Sequence, residues 1–380
     1  MSEGRPLRVL HLHSTFSPGG KELRAAKLMN AFGPGAEHVV VSGVPGELGA
    51  AAAIDPAVVV TYPNDFPSLI GKPGPLRWWR IARAMRPFDL VLTYNWGSMD
   101  AVGARWLYRH VLRLPPLVHH EDGFNSDEAA GLKPIRNRFR RLTLRAAAAT
   151  VVPSRLLEQI ARTAWHVPAP RLKRIPNGIP LREYEGTPAA ALPTLTKRPG
   201  ARWLGTMAGL RAVKNLPRLV RAFAALPAEW ELVIVGEGPE RAAIEAEAAR
   251  LGIADRVHMP GFAANPAQVL QLFDLFALSS DSEQFPISVI EAMAAGLAVV
   301  SPAVGDVSHI VAENNRPHIT PPGDEAALAA ALVELASDAP RRSAIGAANR
   351  AGAQAEYGEE AMIAAYRQTY GGALGRSTFP

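Results

Sequence analysis

The most constraining feature of this chain is a regular alternation of short β-branched runs with longer segments rich in Ala, Leu and Arg. Such alternation predicts parallel sheets covered by helices on both faces. Two series of strands are predicted, and together they indicate two doubly wound, Rossmann-like α/β domains. The first series is 8–13, 38–42, 57–62, 90–94, 117–120, 150–153 and 172–176, and the second is 202–207, 231–235, 256–259, 275–278, 298–301 and 318–320.

A segment rich in Pro, Gly and Thr separates the two series at 177–201 and predicts a linker. The expected domains are therefore residues 1–178 and 179–354, and a terminal helix within 355–380 is expected to pack back on the first domain. Ligands in open α/β sheets bind outside the carboxyl ends of the strands. With two such domains, we expect the sheets to face each other across a cleft that holds the site.

The charge and composition of the chain indicate which kinds of molecule it binds and in which compartment it acts. The net charge of +6 favours anionic partners such as nucleotides, phosphates or an acidic membrane surface. The chain has no cysteine, which excludes disulfides and thiol chemistry. Neither a signal peptide nor a run of about 20 apolar residues is evident. Together these features predict a cytoplasmic protein. The basic stretch 133–145 predicts a solvated helix face, with contact to a membrane or an anionic acceptor as the alternative. No nucleic-acid motif accompanies the charge, so no nucleic-acid partner is expected.

The stretch SSDSEQFPISVIEAMAAG, which begins at Ser279, carries the clearest chemistry. It leaves a predicted strand through a polar loop and enters a helix, which Gly296 is expected to stop. Proline is suited to the first helical position because it has no N–H to leave unpaired there. Unpaired backbone N–H groups and the helix dipole favour an anion at such a start. The residues expected at this anion site are Pro286, Ile287, Ser288 and Val289.

Two carboxylates flank this helix start. Glu283 lies in the loop, and Glu291 lies about one turn inside the helix. Both would repel a phosphate, but both could accept hydrogen bonds from sugar hydroxyls. A ligand with hydroxyl groups on both sides of a phosphate, such as a nucleoside diphosphate sugar, fits this arrangement. The alternative is a solvated loop glutamate and an ordinary paired helix charge, although burying Glu291 without a partner would be costly.

These residues resemble the signature of the family 4 retaining glycosyltransferases of GT-B fold, whose E-x7-E motif corresponds to Glu283 and Glu291. Further landmarks occur in the family's order, and the resemblance covers about Val9 to Val311. They are Gly19-Gly20-Lys21-Glu22, Val152-Pro153-Ser154, Ile175-Pro176-Asn177-Gly178-Ile179, Leu210-Arg211-Ala212-Val213-Lys214-Asn215, Val235-Gly236-Glu237-Gly238-Pro239 and Pro260-Gly261-Phe262.

The resemblance implies roles for these residues. The second domain would bind the donor, with its diphosphate at the Pro286 helix start near Lys214 and Arg211. Glu291 would bind ribose hydroxyls, and Glu283 would bind hydroxyls of the transferred sugar. It also implies transfer with retention, with no metal or other cofactor.

Glycines and histidines at other strand ends complete the expected site. In the family, the loop of Gly19 and Gly20 approaches the transferred sugar and the diphosphate. Gly236 and Gly261 are expected in tight turns on the donor side. Arg241 stands where a dinucleotide fingerprint would have its third glycine, which argues against a nicotinamide cofactor.

A histidine of this family often ends the strand that corresponds to 117–120. Either His119 or His120 could be that residue, and only one is expected to face the cleft because adjacent strand residues point to opposite faces. Glu121 and Asp122 could form a metal site with a histidine or bind acceptor hydroxyls.

One departure from the family keeps alternative functions open. The family usually has an arginine five residues before the lysine, where this chain has Gly209, and Arg211 could supply that charge. The expected acceptor is a glycan or a lipid-linked molecule of bacterial cell-surface synthesis, with possible contact to a membrane. The alternatives are a sugar-nucleotide epimerase or hydrolase of the same fold and a non-catalytic protein that binds nucleotide sugars.

Overall fold

The computed structural model describes residues 5–124, 128, 131–186, 192, 195–263 and 265–380. These residues form two compact units. Unit 1 contains the described residues up to Asn177 together with Ala361–Pro380, and unit 2 contains those of Gly178–Glu360. Of the predicted linker 177–201, residues 187–191 and 193–194 lie outside the described ranges.

The described residues of unit 1 form a parallel sheet of seven strands, in the order β3-β2-β1-β4-β5-β6-β7. The strands are β1 Leu7–His13, β2 Ala36–Ser42, β3 Val60–Thr61, β4 Leu90–Tyr94, β5 Leu117–His120, β6 Ala149–Val152 and β7 Leu172–Arg174. The helices between them are α1 Gly20–Phe32, α2 Pro75–Met85, α3 Met99–Leu112, α4 Pro134–Thr143 and α5 Arg155–Thr163.

In unit 2 the described residues form a parallel sheet of six strands, in the order β10-β9-β8-β11-β12-β13. The strands are β8 Arg202–Met207, β9 Trp230–Val235, β10 Val257–Gly261, β11 Leu275–Ala277, β12 Val299–Pro302 and β13 Ile319–Thr320. The helices are α6 Leu216–Phe223, α7 Arg241–Arg250, α8 Pro266–Leu270, α9 Ile287–Ala294, α10 Val307–Ile310, α11 Glu325–Ser337 and α12 Ala339–Glu356. The last helix, α13 Glu359–Ala373, begins at the end of unit 2 and belongs to unit 1 from Ala361 onwards.

The predicted parallel α/β architecture is confirmed, and one strand differs clearly from its prediction. The segment 57–62 was expected to be a full strand, but β3 is only two residues long. Asp55 accepts a hydrogen bond from the Ala57 N–H, which turns the backbone before the strand. Pro63 follows and has no N–H to offer the sheet, so β3 stays a short edge strand.

Helices cover both faces of the unit 1 sheet. Val9 packs in one core with side chains of α1 and α13, whereas its neighbour Leu10 packs in the opposite core with side chains of α2, α3 and α5. This split follows from the alternation of side chains along a strand. No helix among the described residues combines the length and the apolar character that crossing a bilayer requires.

Each sheet has a point where its strand order reverses, between β1 and β4 in unit 1 and between β8 and β11 in unit 2. At such a point the connections leave the two adjacent strands in opposite directions, which opens a crevice at their carboxyl ends. The loops after these four strands are therefore the positions at which the fold favours a ligand.

Candidate functional site

The reversal point of unit 2 brings together two of the predicted site residues. Lys214 follows β8, and Glu283 follows β11. The Lys214 Nζ lies 2.5 Å from the Glu283 Oε1, and the two side chains are only 15% and 12% exposed. The Ser280 Oγ donates a hydrogen bond of 2.7 Å to the same carboxylate oxygen. The sheet topology thus places an acid and a cation in contact where the crevice opens.

The two loops that carry this pair are hydrogen-bonded to each other. The Asp281 N–H donates to the Val213 carbonyl at 2.9 Å, and the Ser279 Oγ donates to the Lys214 carbonyl at 2.9 Å. Asn215 has a left-handed backbone, with φ of 44°, and its side chain donates to the Asp281 carboxylate. These contacts hold the backbone at Lys214 in place independently of the ion pair that its side chain forms.

Gly236 follows β9 and Gly261 ends β10, and Gly236 lies against the loop that follows β8. Gly236 has φ of +142°, and a Cβ at this position would stand 2.0 Å from the Ala208 carbonyl oxygen. Only glycine permits so close an approach of two backbones. The Gly236 N–H donates to the Gly261 carbonyl at 2.9 Å. Gly236 therefore packs the end of β9 against the loop that leads to Lys214, and its N–H links this point to the end of β10.

The first turn of α9 offers fewer free donors than the sequence predicts. Pro286 precedes the first helical residue, Ile287, and has an extended backbone. Val289 was expected to present an unpaired N–H, but this group donates to the Pro286 carbonyl at 3.1 Å. The tightened turn leaves Ile287 and Ser288 as the candidate N–H donors to an anion. Gly296, with φ of +78°, follows the end of the helix as predicted.

Glu291 has a partner that the sequence did not reveal. Tyr184 lies on a short 3-10 turn, Leu181–Tyr184, and its side chain forms a hydrogen bond with Glu291. Burial, followed by the negative charge of Glu291, raises the pKa of Tyr184 well above its ordinary value. A tyrosine in a segment with weak periodicity gives no motif, so only the folded chain shows this contact.

The two histidines at the end of β5 point in different directions, and both are fully buried. The His120 Nδ1–H donates to the Thr93 carbonyl at 3.1 Å, and its Nε2 accepts from the Tyr370 hydroxyl of α13 at 2.8 Å. Burial lowers the pKa of His120 to about 3. Both ring nitrogens of His120 are thus occupied in the core.

His119 differs from His120 in the contacts of its two ring nitrogens. Its Nδ1 lies 2.9 Å from the Thr93 Oγ1, whereas its Nε2 lies 3.7 Å from the Glu121 carboxylate and has no hydrogen-bond partner. His119 is therefore the member of the pair with an open ring nitrogen. In the described ranges, no group of three or more His, Asp or Glu side chains is arranged to hold a metal ion.

The loop of Gly19 and Gly20 leads directly into α1. Gly19 has an extended backbone and precedes the helix, which begins at Gly20. Inside the helix, Arg24 is buried, and it pairs with the Asp122 carboxylate and donates to the Asn177 side chain at 2.9 Å. The start of α1 is thereby tied to the ends of β5 and β7, next to the histidines.

The basic stretch 133–145 is only partly the solvated face that its charge predicts. Arg138, Arg141 and Arg145 are exposed, but Arg140 is fully buried. The Arg140 guanidinium lies 3.1 Å from the Glu121 carboxylate and 3.3 Å from the Glu128 carboxylate. A buried charge of this kind requires such partners, because an unpaired one would be strongly destabilising.

Two protein-family models match the chain. The model described as glycosyl transferases group 1 matches residues 194–352, and the model described as glycosyltransferase family 4 matches residues 34–183. The chain belongs to the family 4, group 1 glycosyltransferases. The fold agrees with this assignment, because solved glycosyltransferase structures of GT-B fold superpose on nearly all of the chain.

Three relatives illustrate the similarity. The N-acetyl-alpha-D-glucosaminyl L-malate synthase of Bacillus anthracis is 28% identical over 166 residues, which are 43% of this chain and 44% of the relative. The D-inositol 3-phosphate glycosyltransferase of Nocardia farcinica is 30% identical over 59% of this chain and 53% of the relative. Anabaena Alr3699/HepE, solved in complex with UDP, superposes with a TM-score of 0.76 at 21% identity, over 94% of this chain and 97% of that chain. The matches thus span about half or less of the length of these two curated relatives.

This chain departs from the family's pattern at Gly209, and the structure shows which side chain lies beside that position. A Cβ at Gly209 would lie 3.7 Å from the Nε of Arg211. The Arg211 N–H also donates to the Gly209 carbonyl at 2.8 Å, which folds the two residues into one turn. The Arg211 side chain, which is exposed, therefore runs beside the position where the family has its arginine.

Proposed function

We propose that this chain transfers a sugar, with retention, from a nucleoside diphosphate sugar to an acceptor hydroxyl. The observation that carries the proposal is the contact between Lys214 and Glu283 at the reversal point of unit 2. A partly buried cation is suited to stabilising negative charge on a diphosphate as it leaves. A carboxylate beside it is suited to accepting hydrogen bonds from sugar hydroxyls.

The proposal assigns each remaining residue a role. Glu291, held by Tyr184, binds the ribose hydroxyls, and the first turn of α9 binds the diphosphate together with Arg211. The leaving phosphate acts as the base for the acceptor. Lys214 and Arg211 balance the charge of the diphosphate, so the proposal includes no metal or other cofactor. His119, with its open Nε2, is assigned to the transferred sugar rather than His120, because the core occupies both ring nitrogens of His120.

The proposed acceptor is a glycan or lipid-linked molecule of bacterial cell-surface synthesis, and the proposed place of action is the cytoplasmic side of the membrane. Relatives support this context, since one is described as a lipopolysaccharide core biosynthesis glycosyltransferase of Rhizobium meliloti. The UDP complex of the Anabaena protein favours testing uridine nucleotides first.

The proposal is tested by incubating the full chain with UDP-, GDP- and ADP-sugars, with and without a bacterial glycolipid extract. We expect nucleoside diphosphate release that depends on the extract, and a product whose anomeric proton coupling matches that of the donor. Equal nucleoside diphosphate release without the extract would indicate a hydrolase instead, and conversion of the donor into a different nucleotide sugar would indicate an epimerase. Donor binding without any transfer would indicate a non-catalytic binding protein, and an inverted product would contradict retention.

A further inference from the structure

Unit 1 contains a cavity of about 650 Å³ at the reversal point of its own sheet. Ser14 and Thr15 line it from the end of β1, Gly43 from the end of β2, and Trp96 and Gly97 from the end of β4. Its volume lies within the range of roughly 300–1,000 Å³ that is typical of small-molecule sites. The fold therefore provides a ligand position that is lined by residues of unit 1.

The walls of this cavity are mostly apolar. Leu69, Met99, Trp96 and Phe139 supply much of the lining, and Leu69 and Met99 are almost completely buried. Such a lining offers few hydrogen bonds to a free sugar, whose hydroxyls would lose their water. It is suited instead to a hydrocarbon group, which gains free energy when it leaves water.

The two charged residues of the lining already have partners within unit 1. Asp100 accepts a hydrogen bond of 2.9 Å from the Trp78 Nε1 and pairs with Arg77. Arg136 pairs with Glu128 at 2.9 Å, and its guanidinium lies 4.8 Å from the centre of the Trp96 ring. Neither charge needs a ligand to neutralise it, so the pocket remains compatible with an uncharged, apolar group.

The mouth of the pocket exposes large apolar side chains to solvent. Three residues of the lining are 36%, 63% and 79% exposed, namely Val44, Ile70 and Ile135. Exposed apolar groups that continue an apolar pocket are typical of a surface that meets a lipid or another apolar partner. We name these three residues the apolar rim.

Basic residues lie close to the apolar rim along the sequence, since Lys72 follows Ile70 by two residues and Arg138 follows Ile135 by three. The segment 69–86 contains five Lys or Arg residues and no Asp or Glu. Lys72 and Arg80 of this segment are exposed, and so is Arg138 of α4. Cations next to an apolar surface favour an anionic amphiphile, because juxtamembrane basic residues are attracted to anionic lipid headgroups.

We propose that this pocket binds the hydrocarbon chain of a lipid-linked acceptor, whose anionic headgroup lies against the basic residues at a membrane surface. The inference rests on the proposed function, because it names the acceptor class of that reaction. The apolar rim contacts the chain where it leaves the pocket, and Lys72, Arg80 and Arg138 contact phosphate groups.

The pocket is tested with butyl, hexyl, octyl and decyl phosphate below their micelle concentrations, by calorimetry on the full chain. We expect the affinity to rise by up to about fourfold for each added methylene, as the burial of a CH₂ group implies. The double substitution Ile70→Glu, Ile135→Glu should weaken decyl phosphate binding at least about tenfold, since it places two carboxylates at the chain's entrance. Both residues are exposed, so the fold should tolerate the change.

The matched control is Val59→Glu, which changes an exposed apolar residue of unit 1 outside the lining and should bind decyl phosphate like the wild type. Affinity that is independent of chain length, or unchanged in the double variant, would overturn the proposal. UDP binding is measured on the same samples. If the wild-type chain does not bind UDP, the result counts against the proposed function alone. If it binds UDP but not decyl phosphate, the result counts against the pocket alone.

A second measurement decides the source of the lipid. The wild-type chain should co-sediment with phosphatidylglycerol vesicles. The triple substitution Lys72→Glu, Arg80→Glu, Arg138→Glu should weaken this binding at least about 100-fold, since each basic residue near an anionic surface contributes about 1 kcal/mol. Decyl phosphate binding without any vesicle binding would contradict a membrane-borne acceptor and indicate a soluble amphiphile.

Discussion

Replacing Lys214 with alanine is expected to lower the kcat of sugar transfer by about 10²–10³-fold, which is the usual cost of removing one group that stabilises transition-state charge. The physical reason is that the diphosphate gains negative charge as it leaves, and Lys214 is the most enclosed cation of the proposed donor site. Glu283→Gln should have an effect of similar size. Glutamine keeps the shape and the Ser280 hydrogen bond but removes the charge that faces Lys214.

The measurement is nucleoside diphosphate release at saturating donor, with far-ultraviolet circular dichroism to verify the fold. Arg250→Ala is the matched control, because Arg250 also forms an ion pair in unit 2, with Glu247, but is 61% exposed. It should leave kcat unchanged, since an exposed pair of this kind contributes little. Wild-type kcat in both Lys214→Ala and Glu283→Gln would show that the assigned site is wrong.

Unit 1 is expected to lose stability steeply as the pH falls from about 6.5 towards 4.5, the range in which unfolded histidines take up protons. Burial lowers the pKa of His38 to about 4 and that of His120 to about 3. The pKa values of His11 and His13 are lowered by the same cause. These histidines are therefore neutral when folded and protonated when unfolded.

The direction of this pH dependence follows from the number of protons that the folded and unfolded states bind. Because the unfolded chain binds more protons in this range, stability is present above pH 6.5 and falls as the pH decreases. Well below pH 6.5, each such histidine removes about 1.4 kcal/mol per pH unit. The acidic groups with lowered pKa values lose their contribution below about pH 5, so the range between pH 6.5 and about 5 reports on the histidines.

The test is the urea midpoint of unfolding at pH 7.5, 6.0 and 5.0. His120→Gln should make the pH dependence shallower by the contribution of one histidine, whatever its effect on absolute stability. His110→Gln, which changes an exposed histidine of α3, is the control and should leave the slope unchanged. A midpoint that does not vary between pH 7.5 and 5.0 would contradict the proposed protonation states.

Much of the fold could be predicted because each strand is a local feature. The β-branched runs that become β1, β4, β5 and β8 ended within one residue of their predicted limits. The position of Glu283 in a loop and of Glu291 in a helix also follows from local signals, namely Pro286 and Gly296. Local signals of this kind do not depend on which strands become neighbours.

The parts that could not be predicted depend on long-range contacts. Lys214 and Glu283 are 69 residues apart, and they meet only because β8 lies next to β11 in the sheet. Arg140 belongs to a stretch whose charge indicates a solvated face, and its burial depends on Glu121 and Glu128. The contact between Tyr184 and Glu291 likewise joins a connecting segment to a helix, and no spacing along the chain encodes it.

Unit 2 is proposed to bind a nucleoside diphosphate sugar through Glu291, and the melting temperature in the presence of UDP-, GDP- and ADP-sugars tests this binding most directly. At about 100 times its Kd, the correct donor should stabilise the wild type by about 2.7 kcal/mol. The shift should vanish in Glu291→Ala and persist in the control Glu245→Ala, whose carboxylate is 55% exposed on α7. Tyr184→Phe should weaken binding about fivefold, which corresponds to the loss of one hydrogen bond. No shift with any donor, or equal shifts in the wild type and Glu291→Ala, would contradict the claim.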